Sequence, residues 1–417
     1  CAQVQHDIAL RPLVRRVVRR PRWGGVDLDC TGRRRHLPVA VLVHRVEVDA
    51  VDAVVRVVGR CGNDDTGPGL PGPAIDAVAG GIHRGADRRI NGEVRTVNVE
   101  SGVFGIIQDI NPKDDPLIIK ALTTPGEVIL SNILVKDGVP YWTGDGKEHP
   151  DSGVNFTGNW FRGKKDKSGA DIPPSHKNAR YTIRLSALPN LDPRADDPEG
   201  VPVGGIIYGG RDSDTCVPVQ ESFNWSHGVV TIGASLESET TAATLGKEGV
   251  RAFQPMSNLD FLSIPIGVYI RQHLEFTLGL LKLPKIFGVN YFLKGKDGKF
   301  LNDKKDKYVW LKWMERRVHG EVDAITAPTG LLPYYQDLKE LFKQVLDKEY
   351  TPEQYEIQFT TRIPENLRKL ERIEAIYRKD VNTPKAVFDV MEEQRQRLQA
   401  AKAQFGEYVS PLVLIKK

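Results

Sequence analysis

The run VPVGGIIYGGR at 201–211 constrains this chain more than any other stretch. Gly204 to Tyr208 is apolar and reads as a short buried strand. Gly209 and Gly210 end it, and a glycine pair after a buried strand lets the backbone turn tightly or approach a ligand closely. Arg211 is delivered at that break, and its planar fork of donors suits a carboxylate or a phosphate. Taken alone, the stretch is better explained by a solvated loop arginine, so its weight depends on the rest of the chain.

A chain of 417 residues holds two or three domains or one large α/β unit. Its 40% hydrophobic and 27% charged residues are ordinary for a soluble protein, and no apolar run reaches the length of a membrane span. The first ninety residues differ in kind. They lack Lys, Ser, Phe, Tyr and Met altogether, yet hold 15 Arg and 16 Val. Fifteen of the 58 basic and ten of the 54 acidic residues lie there, which leaves 43 against 44 in 91–417. The body is therefore near neutral, and the net charge of +4 belongs to the front. Five missing residue types point to a GC-rich gene read in a wrong frame, or a disordered appendage. A basic arm that binds nucleic acid or anionic lipid through RPLVRRVVRR and TGRRR is the second account. An organellar transit peptide is a third, against which stands the absence of Ser. Cys1, Cys30 and Cys61 also lie in this segment, so Cys216 is alone in the body, which fits a reducing cytoplasm and no disulfide framework.

Beyond Asn91 the composition is normal. Val103 to Ile107 reads as a strand, and Glu127 to Lys136, Asp137-Gly138 and Val139 to Thr143 as a β-hairpin. Pro, Gly, Asp and Lys dominate 144–177, which predicts long loops; Tyr181 to Leu185 reads as a short strand. Val229 to Ala234 is a further candidate strand. It leads into Ala234 to Gly249, a small and polar run with little to bury, which suggests a mobile lid. Ile264 to Leu281 has helical periodicity, and Lys285 to Leu293 reads as a strand. Leu338, Leu341, Phe342, Val345 and Leu346 share a helical face, and Thr383-Pro384 is a helix start. The last eighty residues are expected to be mainly helical and to pack across one face or edge of the sheet.

Three features could form one site. Asn178-Ala179-Arg180 enters the strand at Tyr181, Arg211 follows its glycines, and Tyr291, Phe292 and Phe300 form an aromatic set. Two arginines neutralise a dianion, and aromatic faces hold a planar base. Taken singly, loop arginines are usually solvated and strand aromatics usually belong to a core. No metal-ligand spacing is found.

At this point the chain resembles a known family. From about Asn98 onward it is similar to the GTP-dependent phosphoenolpyruvate carboxykinases, through NVESGVFGI (98–106), KNARY (177–181), PEGVPVGGIIYGGR (198–211), NWSHGVV (224–230), SETTAA (238–243) and LPKIFGVNYFLKGKDGKFL (283–301). The resemblance implies an α/β fold for 91–417: the C-terminal mononucleotide-binding domain of that fold, with a mixed sheet, C-terminal helices at 333–405 and a guanine-site strand and turn at 285–307. It implies that Asn178, Ala179 and Arg180 hold phosphoenolpyruvate or oxaloacetate, with Ala179 where the family has Ser. It assigns Arg211 to phosphate groups and Tyr291, Phe292 and Phe300 to the guanine slot. The lid at 234–249 would include Ser235, Glu237, Ser238, Glu239, Thr240 and Thr241. Lys307 stands near the family's base-reading asparagine, and Glu237 stands where the lid usually opens with arginine.

The implied activity is gluconeogenic: oxaloacetate loses carbon dioxide, and the enolate takes the γ-phosphoryl of GTP with the help of Mn2+ or Mg2+. The partners implied are oxaloacetate, phosphoenolpyruvate and GTP or GDP in the cytoplasm, with no membrane and no nucleic acid. No Gly-Lys-Thr or Gly-Lys-Ser occurs in the chain, and the family's metal ligands are not found in it. The expectation is therefore a fold without its P-loop strand and helix, and a chain with little activity of its own. The alternative is a non-catalytic anion- or nucleic-acid-binding protein that uses the basic front.

Overall fold

The computed structural model describes residues 39–44, 57–58, 88–90, 93–96, 102–188, 191–240, 250–257, 259, 262–280, 282–290 and 292–415. The readings of residues 1–38 and of most of 45–87, together with Thr241 and Tyr291, lie outside the described residues.

The apolar run at 201–211 is the hub of the architecture. Its strand is longer than expected, Val201–Gly209, and it belongs to a nine-stranded sheet among the described residues. On one side it pairs in parallel with Lys285–Val289, Gly205 opposite Lys285 and Gly209 opposite Val289. On the other it pairs in parallel with Val39–His44. Past Lys285–Val289 the order runs antiparallel through Val219–Glu221, Gly330–Leu332 and Ile325–Ala327. The sheet is thus mixed, with its parallel strands at the centre, where both faces are buried.

Alternation along those strands builds two cores. Ile206, Tyr208 and Ile286 point to one, Ile207, Phe287 and Val289 to the other. Helices Lys307–His319, Tyr335–Leu346 and Pro352–Phe359 cover the Phe287 side, where Trp310, Trp313 and Phe342 are fully buried. Helices Ile266–Phe276, Ile363–Tyr377 and Lys385–Phe405 cover the Tyr208 side. The C-terminal helices therefore lie on both faces, not on one face or edge, because a sheet that is apolar on both sides exposes whichever face is left bare. Each large aromatic buried there is worth about 2–3 kcal/mol of transfer free energy.

Local chemistry explains the helix ends. Thr351 accepts from the Gln354 amide while Gln354 reaches back, a capping box that starts Pro352–Phe359. The expected start at Thr383-Pro384 is displaced: the helix begins at Lys385, and the buried Thr383 Oγ1 makes no hydrogen bond.

A second layer carries Arg180. Arg180–Arg184 lies between Gly102–Ile106 and Val128–Ser131, antiparallel to both, over a core of Ile106, Trp142, Tyr181 and Ile183. The expected hairpin forms as Leu134–Lys136 and Val139–Tyr141, with Asp137 and Gly138 both left-handed at φ 52 and 76. Its first strand is not continuous, since Asn132 at φ 58 diverts the chain from one sheet to another.

Two expectations fail here. Residues 144–177 are not all loop: Ser152–Asn155 and Gly158–Phe161 pair as a hairpin, anchored by buried Trp160, whose Nε1 donates to the Ile172 carbonyl at 2.8 Å. Residues 229–234 are not a strand. Gly228–Ala234 continues, with π-type turns, a helix begun at Trp225 under an Asn224 cap. The β-branched run suggests a strand locally, but a Cβ on Gly228 would lie 2.6 Å from Ile286 and one on Gly233 2.8 Å from Tyr208. Packing of a helix this close to the sheet overrides propensity.

Candidate functional site

Arg211 emerges at the carboxyl end of the central strand, where ligands bind in open α/β sheets. Gly210 is necessary there. Its N–H donates to the Val289 carbonyl at 3.2 Å, and a Cβ would meet the Glu237 carbonyl oxygen at 2.6 Å. The strand Glu237–Glu239 passes over this break and grips Arg211 by its backbone: the Arg211 N–H donates to Ser238 Oγ at 3.1 Å, and the Glu239 N–H donates to the Arg211 carbonyl at 3.0 Å. The guanidinium lies 4.8 Å from the centre of the Phe292 ring, within cation–π range.

Phe292 stands just past the strand Lys285–Val289, and the chain then doubles back so that Lys294 pairs with Phe300. The two rings are 6.2 Å apart and tilted by 58°. A stacked base needs parallel faces about 7 Å apart, twice the spacing of stacked bases. As they stand, the two rings leave no parallel gap of that width, and Phe300 is 59% exposed.

Behind Arg211 is a charge network centred on buried Asp212 and Lys369, which sequence reading missed. Asp212 accepts from Lys369 Nζ at 2.9 Å, from Arg251 Nη1 at 2.8 Å and from the Thr215 hydroxyl. Burial alone would raise this carboxyl, yet the Lys369 and Arg251 charges and the Thr215 hydroxyl hold it well below the ordinary Asp range. Arg251 also reaches Asp214 at 2.7 Å, and Arg372 donates to Glu237 at 2.8 Å. Three acids and three bases thus balance one another. Lys294 adds a partly exposed pair with Glu239 at 2.7 Å. Only the adjacency of Asp212 to Arg211 could have hinted at this, since Lys369 and Arg251 are distant in sequence. Nearby, burial pushes the Cys216 thiol up to about 11.

The expected lid begins differently from its reading. Ser235, Glu237 and Ser238 are buried, and Glu237–Glu239 pairs with Arg251–Phe253. Ser235 Oγ donates to the Val230 carbonyl at 2.8 Å, and the Thr240 N–H donates to the Val250 carbonyl at 2.9 Å. Tertiary pairing and ion pairs supply the anchoring that the sequence lacks apolar residues to provide.

The remaining candidates are placed as follows. Arg180 and Asn178 are joined by a hydrogen bond from Arg180 Nε to Asn178 Oδ1 at 2.9 Å, at the entry to the three-stranded sheet. Ala179 is fully buried, and its carbonyl accepts from Ile107 at 2.9 Å. The two arginines thus stand on different sheets. Lys307 opens the helix Lys307–His319 and is buried, with its ammonium 5.6 Å from the Tyr308 ring centre. Among the described residues no three His, Cys, Asp or Glu side chains converge on a point where a metal ion would sit. No helix among them is long and apolar enough to cross a membrane.

The family signature described as the phosphoenolpyruvate carboxykinase C-terminal P-loop domain matches residues 82–397. The chain belongs to that family. Among curated relatives, the protein named phosphoenolpyruvate carboxykinase [GTP] of Pyrococcus abyssi is 61% identical over 329 residues, 79% of this chain and 53% of the relative. The proteins of that name from Sulfurisphaera tokodaii and Chlamydia caviae are 49% and 36% identical, over 78% and 64% of this chain and 53% and 43% of their own lengths. The chain spans about half the length of the curated relatives it matches. Its mixed α/β architecture is that of the family's C-terminal domain.

Proposed function

We propose that residues 91–417 form the part of a GTP-dependent phosphoenolpyruvate carboxykinase that holds the nucleotide base and the phosphoryl oxygens. The observation that carries this reading is Arg211, fixed by its backbone at the end of the central parallel strand and laid on Phe292. A cation beside an aromatic face suits a nucleotide: the base stacks on Phe292 and Phe300, and Arg211 meets the phosphates. Tyr291 belongs to the same aromatic set. Arg180, oriented by Asn178, would take the carboxylate or phosphate of phosphoenolpyruvate, or a carboxylate of oxaloacetate.

In the reaction, the bond between C3 of oxaloacetate and the departing carboxyl carbon breaks, and its electron pair passes into an enolate. The enolate oxygen then takes the γ-phosphoryl of GTP, leaving GDP. Phosphoryl transfer depends on neutralising charge on the oxygens in flight, which Arg211 and Arg180 would do. The segment 234–249, rooted on the anchored residues Ser235, Glu237, Ser238, Glu239 and Thr240 and continuing through Thr241, would close over the ligands and keep water from the enolate. The divalent ion of this chemistry, Mn2+ or Mg2+, finds no ligand set among the described residues, so no step is assigned to it here. Lys307 in place of an asparagine leaves base reading to another residue.

We place this chemistry in the cytoplasm, in gluconeogenesis. The Gly-Lys-Thr or Gly-Lys-Ser loop is absent from the sequence. The 417-residue chain should therefore bind a fluorescent GDP analogue and show no GTP- and manganese-dependent phosphoenolpyruvate formation above background. Absence of nucleotide binding refutes the site; substantial turnover refutes the assignment of an incomplete catalyst.

A further inference from the structure

Asn290 is the first residue past the strand Lys285–Val289, as Gly210 is past the central strand Val201–Gly209. The two ends are tied by the hydrogen bond from the Gly210 N–H to the Val289 carbonyl at 3.2 Å. Asn290 therefore stands at the carboxyl edge of the same parallel pair that delivers Arg211, the crevice where such sheets bind ligands. Its side chain is 1% exposed. Its Oδ1 accepts the Phe292 N–H at 3.1 Å, and its own N–H donates to the Pro218 carbonyl at 3.0 Å.

The Phe292 N–H decides which end of the amide is oxygen, so the other end is the Nδ2 donor. That nitrogen is buried and makes no hydrogen bond. A buried donor without a partner is costly, and it persists where a ligand supplies the acceptor. The residue is clamped by its two other bonds, so the donor cannot turn away to solvent. Two positions on is Phe292, with the Arg211 guanidinium on its face.

We propose that Asn290 reads the base of a purine nucleotide stacked on Phe292, by donating from Nδ2 to the 6-carbonyl oxygen. The inference rests on the nucleotide reading of this site and adds the residue that selects the base. A 6-oxopurine presents an acceptor at that edge, whereas adenine presents a 6-amino donor that would face a second donor. Sites that meet a substrate group with a buried hydrogen bond reject analogues lacking it, because the site's own polar atom is then left unpaired.

The test uses the full 417-residue chain and fluorescent GDP, IDP and ADP analogues, titrated at pH 8. The wild type should bind GDP and IDP alike and ADP about tenfold more weakly, the cost expected of one opposed buried donor. Asn290→Asp keeps the oxygen that accepts from Phe292 and replaces only the donor. It buries a carboxylate and should lower the thermal midpoint, while bringing the GDP-to-ADP preference to one or reversing it; Asn290→Ala, which buries no charge, should abolish the preference as well. Retention of the tenfold preference by Asn290→Asp, or its absence in the wild type, overturns the role of Asn290 while nucleotide binding stands. Failure of the wild type to bind any of the three overturns the nucleotide site itself, and this assignment with it.

Discussion

The two ends of the candidate site are built on opposite principles. At the Arg211 end, the backbone is gripped by Ser238 and Glu239, and the next residue, Asp212, is locked by Lys369, Arg251 and Thr215. At the aromatic end, Phe300 is largely exposed, tilted against Phe292, and linked to the rest by the partly exposed Lys294–Glu239 pair. On the proposed nucleotide reading, the difference matches what each ligand feature would demand. Charge must be met by charge already in place, because reorganising dipoles during reaction is costly. A flat base tolerates a ring that moves to meet it.

The contrast can be broken most forcefully at Lys369. Lys369→Met removes the principal counter-charge of a buried carboxylate and should destabilise the protein by about 3–5 kcal/mol, read as a lower urea midpoint at unchanged slope. A variant as stable as wild type would mean that the locked end is not locked by charge.

A second effect of nearly that size belongs to pH. His227 closes the short helix Trp225–His227 and is buried, with its Nε2 3.0 Å from Gln394 Oε1. Burial, opposed by that hydrogen bond, lowers it from 6.5 to about 4. The folded state thus holds the neutral ring, and its contribution is complete above pH 6.5 and lost as pH falls toward 4. Unfolding free energy should drop by about 3 kcal/mol across that window, and His227→Gln should remove this part of the slope while leaving the acid loss from Asp212 at still lower pH.

The aromatic end should give smaller and unequal effects on binding. Phe292→Ala should weaken a fluorescent GDP analogue by about tenfold or more, since it removes both a stacking face and the support of Arg211. Phe300→Ala should cost less, with almost no change in thermal midpoint. Equal losses would show that the slot is rigid after all. The smallest change is expected of Lys294→Met: the pair with Glu239 is partly exposed, so stability should shift by less than about 1 kcal/mol in urea melts.

Much of the fold is legible residue by residue. An apolar run closed by two glycines reads as a buried strand that ends in a tight turn or a close approach, and Gly210 makes that approach at the Glu237 carbonyl. Asp137-Gly138 and the stripe of Leu338, Leu341 and Phe342 act through local geometry, and both turned out as read. Residues 229–234 were misread because their β-branched side chains suit either state, and only contact with Ile286 and Tyr208 selects the helix. The opening of the lid segment was misread because ion pairs from Arg251 and Arg372 have no local signature.

The amino-acid order by itself determined the family, the buried central strand and the delivery of Arg211, because strand period and glycine placement are local properties of a chain. Only the tertiary structure decided that Asp212 is charged and locked, that Phe292 carries a guanidinium, and that Asn290 keeps an unmet donor. Those are facts about low-dielectric surroundings and about neighbours 39 to 157 positions apart in the chain. No pattern along a sequence encodes a dielectric.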